Sequence, residues 1–408
     1  MHTSLKKYSL DLILIFLIYA LTPLYMLPSG SVQFVDIVIV AMIVITVLNV
    51  RVSEFRKAFK HAVPFMPFLV WTVIVNIFYT ISSNKLSYIL ASVELLYTLV
   101  IMVCCSIVLK RMIASSENIN YMLYIIVGSC LLTMLVPSST TPFDTRVQLS
   151  FNNPNQLAYY ALLILTSLVI ITDVLIGIYG IRLVHVIMII AVTAVADTFA
   201  YISASRAGLV TSALINVYML YMFITYNAKR TLFVGAITAG IVLVVFCNVG
   251  KWRFLSKSIG DATERFTKVQ IIDERNLDNR WFGYLDYKVP YSIVFGDGGL
   301  HRPEPAVERE KIIHKEVHNT ILWNFLAYGI IGGLLFLAGA AGFYRQLKSP
   351  EKFFVLLPLI IFNMTLYGLR FRFFWMTMAL LCAASSLHSG REGEKTRSLR
   401  ALSIAETS

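Results

Sequence analysis

The chain has 408 residues, 57% of them hydrophobic and 14% charged, with 35 Lys and Arg against 23 Asp and Glu for a formal charge of +12. A soluble globular domain carries about a quarter charged residues, whereas here the apolar residues arrive in runs of about twenty, enough to cross a hydrocarbon core of about 30 Å. That excludes a water-soluble domain. Backbone amides cannot go unpaired in hydrocarbon, so each run reads as a helix and the whole as an all-α polytopic membrane protein.

About twelve transmembrane helices are predicted, at 9–28, 33–50, 63–82, 88–109, 119–136, 156–177, 183–203, 207–227, 231–249, 319–343, 353–369 and 371–388. They divide the chain into residues 1–249 with nine helices, a long polar loop at 250–317, three helices within 318–388 and a tail at 389–408. The first helix follows Lys6 and Lys7, but no small-x-small cleavage site follows it, so it is expected to stay in the chain. The tail is polar and low in aromatics, which predicts a disordered end.

The distribution of charge tests this topology. With the N-terminus in the cytoplasm, Lys6 and Lys7, the Arg51, Arg56, Lys57 and Lys60 cluster, Lys110 and Arg111, Arg182, Lys229 and Arg230, Arg345, Lys348 and Lys352, and the basic tail all fall on the inner side, as the positive-inside rule requires. Both termini are then cytoplasmic. The net charge is topological, with no basic patch on a soluble face to suggest a nucleic-acid partner. Lys85, Arg146, Arg206, Arg370 and Arg372 are the exceptions in the short outer loops, which makes them candidates for function.

Among the carboxylates inside predicted helices are Glu94, Asp173 and Asp197, for which a buried structural role is the plain expectation. Cys104, Cys105, Cys130, Cys247 and Cys382 lie in hydrophobic stretches without metal or redox spacing and read as small packing residues. Ahead of the sixth helix, the loop from Asp144 to Gln156 holds Arg146 and a run of amides, Asn152, Asn153, Asn155 and Gln156. These could bind sugar hydroxyls, and helix capping is the simpler reading for Asn155. Between the seventh and eighth helices, Ser203-Ala-Ser-Arg206-Ala-Gly208 places a guanidinium where it needs an anionic partner.

Nearly seventy polar residues then separate the ninth and tenth helices, too many for a connector. Arg280 and Trp281 lie early in this loop, and Phe295-Gly-Asp-Gly-Gly-Leu300 predicts a tight turn near its end. His318 and Asn319 then lead into a helix containing Gly329-Ile-Ile-Gly332. A histidine on the N-terminal side of a helix is held in its neutral form by the helix dipole and suits general-base work, although it could also merely cap the helix. His314 and His318 have i, i+4 spacing, but they match no zinc-protease signature and no metal is expected of them. Several arginines at one membrane face could hold a pyrophosphate without a metal, since the guanidinium fork matches phosphate oxygens, and any one of them could instead be a surface charge or a lipid-headgroup anchor.

Taken together, four features resemble the bacterial O-antigen ligase and polymerase family over about residues 144–345. These are Asn-Pro-Asn at 153–155, Ser-Arg-Ala-Gly at 205–208, Arg280-Trp281, and Phe-Gly-x-Gly followed by His318-Asn319 and the Gly-x-x-Gly helix. The resemblance implies a C-type glycosyltransferase fold in the bacterial inner membrane, with a periplasmic active site and no cofactor. It implies an undecaprenyl-pyrophosphate-linked oligosaccharide as donor, a glycan acceptor, and a chain-length regulator as a companion protein. Carried over to this chain, it assigns the donor pyrophosphate to Arg206 and Arg280, with Arg146 beside them, and activation of the acceptor hydroxyl to His318. Asn152, Asn155, Gln156 and Asn319 are left as glycan-binding candidates. Where relatives place an acid before the Gly-x-x-Gly, this chain has Asn324 to Tyr328, and Glu94 is the carboxylate that could replace it. A polymerase is favoured over a ligase by the Asn-Pro-Asn-Gln form of the motif and by the lack of a soluble glycan-binding domain. A transporter or flippase would predict internal repeats and paired broken helices, which are not seen in the sequence.

Overall fold

The computed structural model describes residues 2–24, 32–135, 147–151, 153–226, 290–298, 319–349 and 351–407. These residues are helical throughout, with no strand among them. In order, α1 spans His2–Leu21, α2 Phe34–Asn49, α3 Val52–Phe59, α4 Met66–Ser83, α5 Ser87–Ile113, α6 Ser116–Leu135, α7 Pro154–Val174 and α8 Leu183–Ile202. Then follow α9 Arg206–Tyr226, α10 Pro290–Phe295, α11 Thr320–Gln346, α12 Lys352–Asn363 and α13 Arg372–Thr407. Among the described residues, seven helices are long and apolar enough to cross a membrane, and shorter apolar helical stretches lie at Leu10–Leu21, Phe34–Asn49 and Lys352–Asn363. The predicted ninth span, 231–249, lies outside the described residues.

Local sequence explains the boundaries. Asn153 accepts a hydrogen bond from the Gln156 N–H at 2.9 Å and Pro154 occupies the first helical position, so α7 starts with a side-chain cap and a preset φ. The cap is thus Asn153 and not Asn155, because Pro154 can sit inside the first turn but has no N–H to donate. Asp36 accepts from the Gln33 N–H at 2.8 Å at the start of α2, and Asn84 ends α4 in the left-handed conformation.

The chain departs from the sequence expectation at three elements. The basic cluster after α2 forms a short helix, α3, tied by a 2.9 Å ion pair from Glu54 to Arg111 and leaving Val52, Phe55 and Phe59 exposed. The predicted helix at 353–369 ends at Asn363, and Gly368–Arg370 forms a separate 3-10 turn. The expected disordered tail instead continues α13 through Thr407, for its Glu, Lys, Arg, Leu and Ala content favours helix and it contains no proline.

The centre of the bundle is α5, α7 and α13. Every residue of α7 is apolar or small and hydroxylic between Leu157 and Thr172, and nearly all are buried, as expected of a helix that is hydrophobic all round. It packs against α8 and α13, while α5 shares its largest interface with α13. Elsewhere apolar side chains point outward, such as Ile37, Val44 and Leu48 of α2 and Ile74, Phe78 and Ile81 of α4, which is what a lipid-facing surface requires.

Helix directions sort the ends of the bundle into two faces. One holds the starts of α7, α9 and α11: the Val147 N–H donates to Ile202 O at 3.2 Å, and Asn363 Nδ2 donates to the Tyr159 hydroxyl at 2.9 Å. We call this the site face. The other holds Arg111 paired to Glu54, the Tyr179 hydroxyl donating to Ile113 O at 3.0 Å, and the Lys348 N–H donating to the Ser385 hydroxyl at 2.6 Å. The basic loops that the charge count grouped together, among the described residues, meet on this second face.

Candidate functional site on one face of the bundle

The site is built around the first three turns of α11. Asn319 caps the helix by accepting from the Leu322 N–H at 2.9 Å and is itself buried, so its side-chain oxygen is engaged in structure. The Thr320 hydroxyl lies 3.0 Å from both the Asn363 side-chain oxygen and Leu366 O, and accepts from the Gly368 N–H at 3.2 Å. These bonds hold the mouth of α11 against the end of α12 and the turn that follows it. His318, which precedes Asn319 in the sequence, lies outside the described residues.

Nine residues later α11 breaks. Gly329 has φ 68° and ψ −175°, a conformation essentially restricted to glycine, and the helix resumes beyond it. The carbonyls freed by the break are taken up by other parts of the chain: Ala327 O accepts from the Gly298 N–H at 2.8 Å and Tyr328 O from the Trp71 indole N–H at 2.9 Å. The Tyr79 hydroxyl in turn donates to Gly296 O at 2.8 Å. The described part of the predicted turn, 295–298, is therefore a plug seated in the broken helix. The approach admits no side chain, since a Cβ on Gly329 would fall 2.1 Å from Val294 O and one on Gly296 would fall 2.3 Å from Ala327 O.

Beside the break lies a cavity of about 30 Å³, room for about one water, lined among others by Glu94, Thr98, Trp323, Asn324, Tyr328 and Arg370. The Arg370 guanidinium sits 4.9 Å from the Tyr367 ring centre and 5.6 Å from that of Trp323, a cation–π arrangement. Asn324 donates to Thr320 O at 2.9 Å. On the other side of the same turns, a larger apolar groove of about 620 Å³ runs from Thr320 and Asn363 at the site face to Tyr344, Arg345 and Phe353 at the opposite face. Polar cavity and apolar groove both reach Leu369, with α11 between them.

The other arginine of this turn has a structural partner. Arg372 Nε is 3.0 Å from Asp36 Oδ1, and the Tyr97 hydroxyl lies 3.3 Å from the same oxygen, which locks α13 to α2. Arg206 is the first residue of α9 and is exposed at the site face. Its motif has a local logic: Ser205 caps α9 by accepting from the Gly208 N–H at 3.3 Å, and Gly208 lies so close to α7 that an added Cβ would stand 3.0 Å from the Ala158 Cβ. Asn155 and Gln156 are half-buried in the first turn of α7, on the same face. Arg146, Asn152, Arg280, His314 and His318 lie outside the described residues. The structure therefore brings Arg206, Asn155, Gln156, Asn319 and Arg370 to one face, and adds Glu94, Asn324 and Trp323, none of which the sequence alone placed beside Arg370. Arg370 had been flagged by its position against the charge bias.

Asp197 and Asp173, the other two helix carboxylates noted in the sequence, each have a partner. Asp197 accepts from Asn216 Nδ2 at 2.8 Å, and Asp173 pairs with His388 at 2.6 Å. Cys104, Cys105, Cys130 and Cys382 are buried free thiols, the packing role expected of them. No family model and no curated protein sequence matches the chain.

Proposed function

We propose that the chain is a metal-independent, inverting membrane glycosyltransferase whose donor is an undecaprenyl-pyrophosphate-linked glycan. In this reading it lies in the bacterial inner membrane as about twelve helices with a C-type glycosyltransferase fold, and works at the periplasmic face. The observation that carries the reading is the adjacency of two unlike spaces around the first turns of α11, a lipid-accessible apolar groove and a small polar cavity bearing Arg370. A lipid-linked anionic donor has these two parts: a polyprenyl chain for the groove and a pyrophosphate for cationic side chains at its mouth.

The chemistry follows from the residues at that face. In this reading Arg206 and Arg370, together with Arg280 and Arg146 as the family resemblance assigns them, bear the negative charge that grows on the pyrophosphate as its bond to the anomeric carbon breaks. His318 accepts the proton of the acceptor hydroxyl while that oxygen attacks the anomeric carbon from the opposite side, so configuration inverts. The pyrophosphate leaves with the bonding electrons on its lipid. Asn152, Asn155 and Gln156 offer amides to sugar hydroxyls, and Glu94 supplies the carboxylate that relatives carry on the helix itself. With the next lipid-linked repeat unit as acceptor the enzyme is a polysaccharide polymerase, the favoured form; with lipid A-core or a protein as acceptor it is a ligase using the same donor site. A transporter fits less well, because the break in α11 is filled by the chain's own turn rather than left lining a path.

Single Ala substitutions of Arg206, Arg280 and His318 are expected to abolish long-chain surface glycan while leaving the protein in the membrane. Glycan ladders from deletion cells complemented with each variant test this, and normal ladders from all three would refute the assignment.

A further inference from the structure

At the face opposite the site, three metal-ligating side chains from three separate elements converge: Asp173 near the end of α7, Glu351 ahead of α12 and His388 on α13. One ligand atom from each lies within 4.8 Å of the others. We propose that this cluster is a structural site for one divalent transition-metal cation of the zinc class, pinning α7, α12 and α13 together away from the catalytic face.

Glu351 is fully buried, with neither carboxyl oxygen at hydrogen-bond geometry to any donor. A carboxyl group enclosed without partners is costly whether charged or protonated, since each form leaves a polar oxygen unmatched. The nearest lysine does not neutralise it: Lys352 turns its ammonium away, to Leu347 O at 2.9 Å. Among the described residues, the ion pair made by Asp173 is with His388 and no Lys or Arg is paired with Glu351. Two carboxylates and one imidazole thus face one another with no Lys or Arg paired to Glu351, and a dication bound among them would give Glu351 its missing partner. The ligand set, one imidazole with two carboxylates, is the borderline donor set that zinc and manganese take.

His388 Nε2 and Asp173 Oδ2 are hydrogen-bonded at 2.6 Å, through a proton that a bound cation would replace. Replacing that proton by a metal at about 2.1 Å from each ligand moves the two atoms apart to about 3.3 Å. Local geometry leaves room for this. Just past Asp173, α7 widens into a π-turn at Leu175–Tyr179, and at Gly177 even an added Cβ would remain 3.7 Å from the His388 ring.

The test loads the purified full-length protein in detergent with ZnCl2 or MnCl2, removes excess by desalting, and counts bound metal per chain by plasma mass spectrometry. One equivalent in the wild type, lost in Asp173→Asn, Glu351→Gln and His388→Gln, with a rise in wild-type Tm of several degrees that those variants lack, is the expected result. No stoichiometric metal in the wild type would overturn the proposal, leaving a proton-sharing triad; so would metal retained in all three variants, which would place it elsewhere. Should the variants fail to fold, X-ray absorption of the zinc-loaded wild type decides, one imidazole with oxygen ligands supporting the site and sulfur or several imidazoles refuting it. Glycosyl transfer is not among the readouts, so the outcome is independent of the function proposed above.

Discussion

Arg370 lies over two aromatic rings in a turn that the positive-inside rule would leave uncharged, and charge alone does not explain its position. A guanidinium can stack flat on Tyr367 and Trp323 and still point its fork at a phosphate, whereas an ammonium cannot do both. Arg370→Lys is therefore expected to lower transfer about tenfold, the equivalent of one cation–π contact in a partly desolvated site, and Arg370→Ala further, with membrane levels unchanged. A reconstituted assay with lipid-linked donor measures this. On the opposite face, burial pushes the His61 imidazole below its ordinary value near 6.5, and Lys60 and Lys110 push in the same direction. With its folded pKa depressed, His61 is neutral in the folded state and takes up its proton more readily on unfolding, so stability is full above about pH 6.5 and falls as pH drops below it. Thermal unfolding between pH 5 and 8 should show this decline in wild type and a shallower one in His61→Gln. At this scale the sequence was partly legible. Arg370 stood out against the charge bias, but its neighbours Glu94 and Asn324 are far apart in the chain, and nothing in their spacing announces that α5 and α11 meet.

Among the elements, α11 shows most clearly what a pattern can and cannot convey. Its apolar run and its Asn319 start were readable, and the turn at 295–300 was expected from its glycines. The pairing of the two was not, because a Gly-x-x-Gly in a membrane helix reads equally well as a smooth packing face. Only the positive φ at Gly329 and the close approach of Val294 reveal a helix broken to receive a plug. Gly329→Ala should cost about 2 kcal/mol or more from backbone strain alone and displace the 290–298 segment. Lower Tm together with faster proteolysis between α10 and α11 would report it, and an unchanged cleavage pattern would argue against the plug. The short helices escaped the sequence reading for a different reason. α3 has eight residues and α10 six, too few for a periodic signal to rise above a charged loop.

Over the whole molecule, charge distribution predicted the division into two faces better than it predicted any boundary. Lys and Arg are counted loop by loop, so an error of several residues in a helix end does not move them across the membrane. The groove is a property of that larger assembly, formed where α5, α11, α12 and α13 fail to close. Filling it should discriminate against a lipid-borne donor: Ala341→Phe is expected to raise the donor KM several-fold while leaving Tm and membrane level unchanged, and an unaltered KM would mean the chain of the lipid lies elsewhere. Transfer should likewise proceed at its initial rate in EDTA, even where chelation lowers Tm through the cluster on the other face.

The break in α11 also bears on the order in which the chain is made. The N–H groups that receive the carbonyls of Ala327 and Tyr328 belong to Gly298 and Trp71, both earlier in the sequence. A nascent α11 leaving the ribosome thus meets acceptor-seeking donors that are already in place. Its unpaired backbone need never wait in lipid for a partner still to be synthesised, which allows a helix with a gap at its middle to enter a membrane that tolerates none.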